Sequence, residues 1–215
     1  MKKKLRAGMF CMGPYAFLGV TKKYLEFKHK YAHRPKGEIV YYGASNFTFW
    51  DTCEADMKPF SVQNHGFGGC TDALMLKYAD NLLYPYKPRI VFIQTGSNDN
   101  AIGLSLEEIK QNKKKIFTEY RKHLPNTIFI IMSGLPLPGR AKYWHDINDT
   151  NTFLKEYCMQ EDHLEFIDAT DVMMTKNGDF RPEFFNQDGI HLNQKGHDAW
   201  TALMKAKLTE LGIVA

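Results

Sequence analysis

Continuous apolar runs, rather than alternating ones, mark the chain from Glu38 onward. Glu38–Gly43 carries Ile39 and Val40 ahead of two tyrosines. Arg89–Thr95 reads Arg-Ile-Val-Phe-Ile-Gln-Thr, and Thr127–Met132 and Leu164–Ile167 are of the same kind. Such runs suit strands covered on both faces of a parallel sheet. Ser61–Asn64 is a shorter candidate for the second strand. Between the runs, apolar residues recur at helical spacing. Thr71 is placed to cap a helix that passes through Leu74, Leu76, Tyr78 and Leu82 and breaks at Pro85. Ser105-Leu106-Glu107-Glu108 is a capping box, with Leu104 and Ile109 spaced as a hydrophobic staple. The helix it opens turns Ile109, Ile116, Phe117 and Tyr120 inward and stops before Pro125. Asp146–Met159 predicts a further helix, and Asn193 caps a last one that runs to Gly212. Phe47–Met57 reads as short helical or irregular chain, and Leu135–Gly139 as a loop. Strand and helix thus alternate about five times, with connections long enough for right-handed crossovers. The pattern predicts an α/β fold, a three-layer α/β/α sandwich on a doubly wound parallel sheet of about five strands. Ligand sites then lie at the carboxyl ends of the strands.

Composition adds that 215 residues, 44% of them hydrophobic, can bury one sizeable core. Charge adds an asymmetry. Residues 1–36 hold ten Lys/Arg against Glu26, whereas the rest of the chain holds eighteen against twenty-three acids. The sequence therefore divides into a basic arm or helix, 1–37, and a mildly acidic body, 38–215. The sign of the body disfavours nucleic acid as a partner, while the arm can attract an anionic surface. Cys11, Cys53, Cys70 and Cys158 are scattered, with no CxxC and no zinc spacing. They read as free buried thiols in a reducing, cytoplasmic setting, with no metal site and no cofactor.

The arm itself has three readings. Met1–Arg6 is basic and Ala7–Val20 mostly apolar, as in an export signal, but Gly13-Pro14 interrupts the run and no small-x-small cleavage site follows. About 14 residues are too few to span a bilayer core, which takes ~20. From Tyr15 to Tyr31, Phe17, Leu18, Tyr24, Leu25 and Tyr31 fall near one helical face. A helix packed on the body, an arm in weak contact with a membrane surface, and cleaved export are the alternatives.

The chemistry-bearing residues fall at strand ends or helix starts. Ser45 follows the first strand, Gly68-Gly69 the second and Gly96-Ser97-Asn98-Asp99 the third, while Asp188-Gly189-Ile190-His191 precedes the last helix. Their types fit acyl transfer. A serine is a weak nucleophile without a base beside it, and His191 can take and return its proton. Asp188 is near enough in a turn to hold the other ring nitrogen. The backbone N–H groups of Ser45 and Gly69 and the amide of Asn98 can donate to an oxyanion. Other residues weigh toward plainer roles. His65, His145 and His197 read as structural or surface histidines, Cys70 as a small buried thiol, and Asp99 as a group that orients its block. Phe47, Phe49 and Trp50 read as core or as the wall of an acyl pocket, and Arg140 and Trp144 as a surface loop or a substrate contact.

These blocks resemble those of the SGNH hydrolases, the GDSL-type esterases and lipases. The usual Gly-Asp-Ser appears as Gly43-Ala44-Ser45. The second block resembles Asn64-His65-Gly66-Phe67-Gly68-Gly69, the third Gly96-Ser97-Asn98-Asp99, and the fifth Asp188-Gly189-Ile190-His191. The resemblance spans about residues 38–212 and implies a flavodoxin-like fold and metal-free ester hydrolysis. It implies a triad of Ser45, His191 and Asp188, with Ser45, Gly69 and Asn98 as the oxyanion hole. Ala44, in place of the family aspartate, departs from the pattern and touches the hydrogen bonding of that turn rather than the nucleophile. The expected activity is a serine esterase on a short-chain acyl ester, such as an O-acetyl group on a carbohydrate. Its partner is then a small ester or acylated carbohydrate. Acyl transfer from the same site, or a non-catalytic member that binds a glycan or lipid, are the alternatives.

Overall fold

The computed structural model describes residues 36–214. The predicted arm therefore lies outside the described residues, apart from Lys36 and Gly37. Five strands, β1 (Ile39–Gly43), β2 (Val62–Asn64), β3 (Ile90–Gln94), β4 (Ile128–Met132) and β5 (Leu164–Ile167), form one sheet in the order β2-β1-β3-β4-β5. Every pairing is parallel, with Tyr41 opposite Asn64 on one side and Phe92 on the other. This is the doubly wound arrangement that the apolar runs predict.

Because side chains alternate across a strand, each run feeds two cores. Val40, Tyr42, Val91, Ile93, Phe129 and Ile131 face one way, and Ile39, Tyr41, Ile90, Phe92, Ile130 and Met132 the other. The first face is covered by α3 (Asp72–Leu82), α5 (Leu106–His123) and α6 (Trp144–Cys158), through Met75, Ala79, Ile116, Phe117 and Leu154. The second is covered by α8 (Gln194–Glu210), through Trp200, Met204 and Leu208. Short helices α1 (Ser45–Thr48), α2 (Cys53–Asp56), α4 (Ser97–Ala101) and α7 (Thr170–Met173) follow strand ends or fill connections. Among the described residues no helix is long and apolar enough to cross a membrane.

Local signals act as expected at the helix starts. Ser105 accepts from the Glu108 N–H while the Glu108 carboxylate accepts from the Ser105 N–H at 2.8 Å. Thr71 and Asn193 accept from the N–H groups of Leu74 and Gly196. On α3 the buried stripe is Met75, Ala79 and Leu82, while Leu74, Leu76 and Tyr78 are partly covered. That stripe keeps the i, i+4, i+7 spacing that one helix face requires. The predicted loop at Leu135–Gly139 continues into a 3-10 turn, Pro138–Tyr143, and α6 starts at Trp144 instead of Asp146. The final helix ends at Glu210, ahead of Gly212.

Candidate active site

Strand order reverses between β1 and β3, which opens a crevice at their carboxyl edges. The Ala44 N–H still pairs with the Gln94 carbonyl, at 3.2 Å, and the chain then turns at once into α1. Ser45 is the first residue of that helix and lies half-buried over the crevice. The helix has no side-chain cap, since Ala44 holds the capping position.

The loop before α8 brings the other partners. Asp188 Oδ1 accepts the backbone N–H groups of Ile190 at 2.8 Å and His191 at 2.9 Å, and Oδ2 lies 2.6 Å from His191 Nδ1. Slight burial pushes the Asp188 carboxyl up, but these donors outweigh it and hold it down at about 2. With Nδ1 donating to a carboxylate, a neutral ring presents the lone pair of Nε2. That atom sits 2.9 Å from Ser45 Oγ. Asn46 ties the two loops together, because its Oδ1 accepts the Leu192 N–H at 2.9 Å and its carbonyl meets His197 Nε2 at 3.1 Å. Phe49, 55% exposed, stands edge-on to the His191 ring at 4.8 Å.

The donor side is built from the turn after β2 and from α4. Gly69 has φ +72°, a backbone state that side chains disfavour. Asn98 Nδ2 donates to the Cys70 carbonyl at 2.9 Å and so fastens that turn to α4. The amide has a second hydrogen to offer. The N–H groups of Ser45 and Gly69 have no acceptor among the described residues. Ser45, Thr95, Ser97, Asn98, Arg140 and Ile190 line the cleft between the two sides, and its enclosed part admits about one water-sized group.

Arg140 enters this cleft from the 3-10 turn. Its Nη1 donates to Ser97 Oγ and, at 3.0 Å, to Asn98 Oδ1. The turn is held against the histidine loop by the Gly139 N–H, which donates to the Gly189 carbonyl at 3.0 Å. A Cβ at Gly139 would come within 2.2 Å of the Asp188 carbonyl, so the approach depends on glycine there. Trp144, by contrast, packs edge-on to Phe180, 6.3 Å away.

Beneath the donor side lies a buried charge cluster. Lys113 of α5, 3% exposed, donates to Asp72 Oδ1 at 2.8 Å and to Thr95, whose hydroxyl also bonds Asp72. Asp99 accepts the Asp72 N–H with both oxygens, at 3.2 and 3.3 Å. Burial and, after it, the Asp72 carboxylate push Asp99 up to about 7, against the pull of Lys113. Asp99 therefore ties the start of α3 to α4, an orienting contact. Burial, reinforced by both carboxylates, also pushes the Cys70 thiol well up, which makes it a poor nucleophile.

Every candidate residue read from the sequence is placed around one crevice or accounted for elsewhere. Ser45, His191 and Asp188 form one hydrogen-bonded chain, and Gly69 and Asn98 stand on its donor side. His65 is buried, with Nδ1 2.6 Å from the Leu82 carbonyl and Nε2 3.1 Å from Gln63. His145 is exposed beside Asp149, and His197 stacks on Trp50 in the core. Among the described residues, no cluster of three or more His, Cys, Asp or Glu is placed to share a metal ion. The sequence reading missed Asn46 and Lys113. Lys113 stands four residues after Ile109 and three before Ile116, so the inward stripe of α5 already contained it.

Solved structures of similar fold include a chain from Streptococcus pneumonia (TM-score 0.80, 21% identity, covering 93% of this chain and 97% of that one). A GDSL-like lipase from Bacteroides thetaiotaomicron gives a TM-score of 0.72 at 19% identity, with 87% and 98% covered. The N-acylneuraminate cytidylyltransferase of Streptococcus agalactiae serotype III is 26% identical over 178 residues, 78% of this chain but 42% of that protein. The chain thus spans less than half the length of the curated relatives it matches. The profile of the GDSL-like Lipase/Acylhydrolase family matches residues 38–199. On that match, which takes in the Ser45 turn and the Asp188–His191 loop alike, the chain belongs to the GDSL-like Lipase/Acylhydrolase family.

Proposed function

We propose that the chain hydrolyses a short-chain acyl ester, an O-acetyl group on a small carbohydrate, with Ser45 as nucleophile. The observation that carries the reading is the continuous hydrogen-bonded chain from Asp188 through His191 to Ser45 Oγ. His191 Nε2 takes the hydroxyl proton as Ser45 Oγ attacks the acyl carbon, and later returns it to the departing alcohol. Asp188 holds the ring by Nδ1 and stabilises the imidazolium that forms. The oxyanion accepts from the N–H groups of Ser45 and Gly69 and from the free amide hydrogen of Asn98. Each such donor is worth about 2.7–4 kcal/mol in enzymes of this chemistry. Water then attacks the acyl-serine with His191 as base and releases the acid.

A carbohydrate alcohol is supported by the sugar in the name of the curated relatives. Residues 38–215 are assigned to the hydrolase domain and 1–37 to an arm ahead of it. The test is a series of nitrophenyl esters from acetyl to octanoyl, with acetylated sugars alongside, for the wild type and Ser45→Ala. The expected result is a steep loss of rate beyond the shortest acyl groups and near-complete loss of turnover in the variant. Full activity of a folded Ser45→Ala protein overturns the proposal.

A further inference from the structure

We infer that Arg140 is a specificity residue, and that the alcohol part of the ester carries an anion, a carboxylate or a phosphate, which the guanidinium receives. The inference rests on the esterase reading of the same cleft. Arg140 is a half-buried cation lining the space beside Ser45 and Asn98. Its Nη1 is committed to Ser97 and Asn98, which fixes the plane of the group. Nε and Nη2 have no acceptor among the described residues, and no carboxylate of those residues lies within ion-pair distance. After burial, the groups that act on it most are the Tyr143 phenol and then Asp188, and both oxygens of that carboxylate are already filled by Ile190 and His191. Burial pulls the Arg140 pKa down, but an arginine stays protonated throughout the working range.

A partly desolvated guanidinium with unfilled donors and no counter-ion is an unfavourable arrangement unless something else completes it. Its planar fork matches a carboxylate or phosphate by two parallel hydrogen bonds. The place is also constrained. Nη1 touches Asn98, a proposed oxyanion donor, so an anion on the remaining nitrogens stands within one sugar unit of the scissile ester. The cradle is rigid on its other side, where Gly139 and Gly189 meet backbone to backbone. An uncharged side chain would have sufficed merely to steady Asn98 Oδ1, since one neutral N–H donor does that.

The experiment compares acetylated glucose, acetylated glucuronic acid and acetylated glucose 6-phosphate in the wild type, Arg140→Gln and Arg140→Lys. Turnover is read as acetate released, and affinity by calorimetry on the Ser45→Ala background, where the ester stays intact. For the wild type, kcat/KM and affinity are expected to favour an anionic sugar about tenfold or more over glucose. Comparing the uronic acid with the phosphate identifies which anion fits. In Arg140→Gln the ratio is expected to fall to about one, and Arg140→Lys, which keeps the charge without the fork, to retain part of it. A wild-type ratio of one overturns the inference, as does an Arg140→Gln or Arg140→Lys protein that loses activity equally on all three sugars, because a residue that only positions Asn98 acts alike on each. Anion-dependent affinity without any turnover leaves Arg140 its role and overturns the esterase reading instead.

Discussion

Replacing Lys113 with methionine removes the cation from the cluster under the cleft while keeping most of the buried stem. At 2.8 Å and an effective dielectric of about 20, the attraction to Asp72 is roughly 6 kcal/mol. Much of it is offset by the desolvation of both ions. The loss on removing one partner is larger than the net worth of the pair, because a charge stays behind in the core. Here Asp72 is fully buried and its Oδ2 has no partner among the described residues, so the stranded carboxylate keeps only the Thr95 hydroxyl. The expected destabilisation is about 3–5 kcal/mol. For a chain of this size that lowers the melting temperature by about 6–20 °C. Urea unfolding followed by circular dichroism measures it. The Lys113→Met/Asp72→Asn double variant is expected to recover about 2 kcal/mol of the single loss, since the stranded charge is gone. A Lys113→Met protein within 1 kcal/mol of wild type, or a double variant whose losses simply add, refutes the reasoning.

Two further perturbations are read from the same geometry. Asp99, pushed up to about 7 from 3.8, keeps a proton in the folded chain that the unfolded chain releases near ~4. Between those values the folded state binds more protons, so this carboxyl makes stability fall as pH rises from about 4 to about 7. Asp99→Asn is expected to flatten that slope in urea midpoints taken from pH 4.5 to 7.5, and an unchanged slope counts against the buried-carboxyl account. Gly139→Ala places a methyl against the Asp188 carbonyl and Ile190. It is expected to cost about 1–3 kcal/mol of stability and to lower kcat through a displaced Asp188–His191 loop. Wild-type melting and kcat in this variant contradict the role given to that contact.

How much of this was legible in the sequence follows from what each part depends on. The strands were plain because a parallel sheet buried on both faces needs unbroken apolar runs, and Ile90–Gln94 is such a run. Ser45, Gly69, Asn98, Asp188 and His191 could be named as candidates because their types are few and their places all fall on one edge of the sheet. Lys113 was passed over because a lysine on an inward stripe reads as a break in it, and its two partners, Asp72 and Thr95, come from other elements. Arg140 was named without a decision, since its place is set by a backbone contact between Gly139 and Gly189, fifty residues apart in a chain whose local pattern gives no sign of it. Long-range polar pairing is invisible to periodicity, and most of what the sequence left open is of that kind.

The most direct measurement of the central claim, that Ser45 carries the reaction, is mass spectrometry after treatment with a fluorophosphonate probe. A serine activated by His191 is expected to take one probe on the peptide that contains Ser45, with loss of esterase activity in step, and Ser45→Ala is expected to take none. Undiminished esterase activity with Ser45 unlabelled, or an adduct and matching inactivation at Cys70 or another residue, contradicts it.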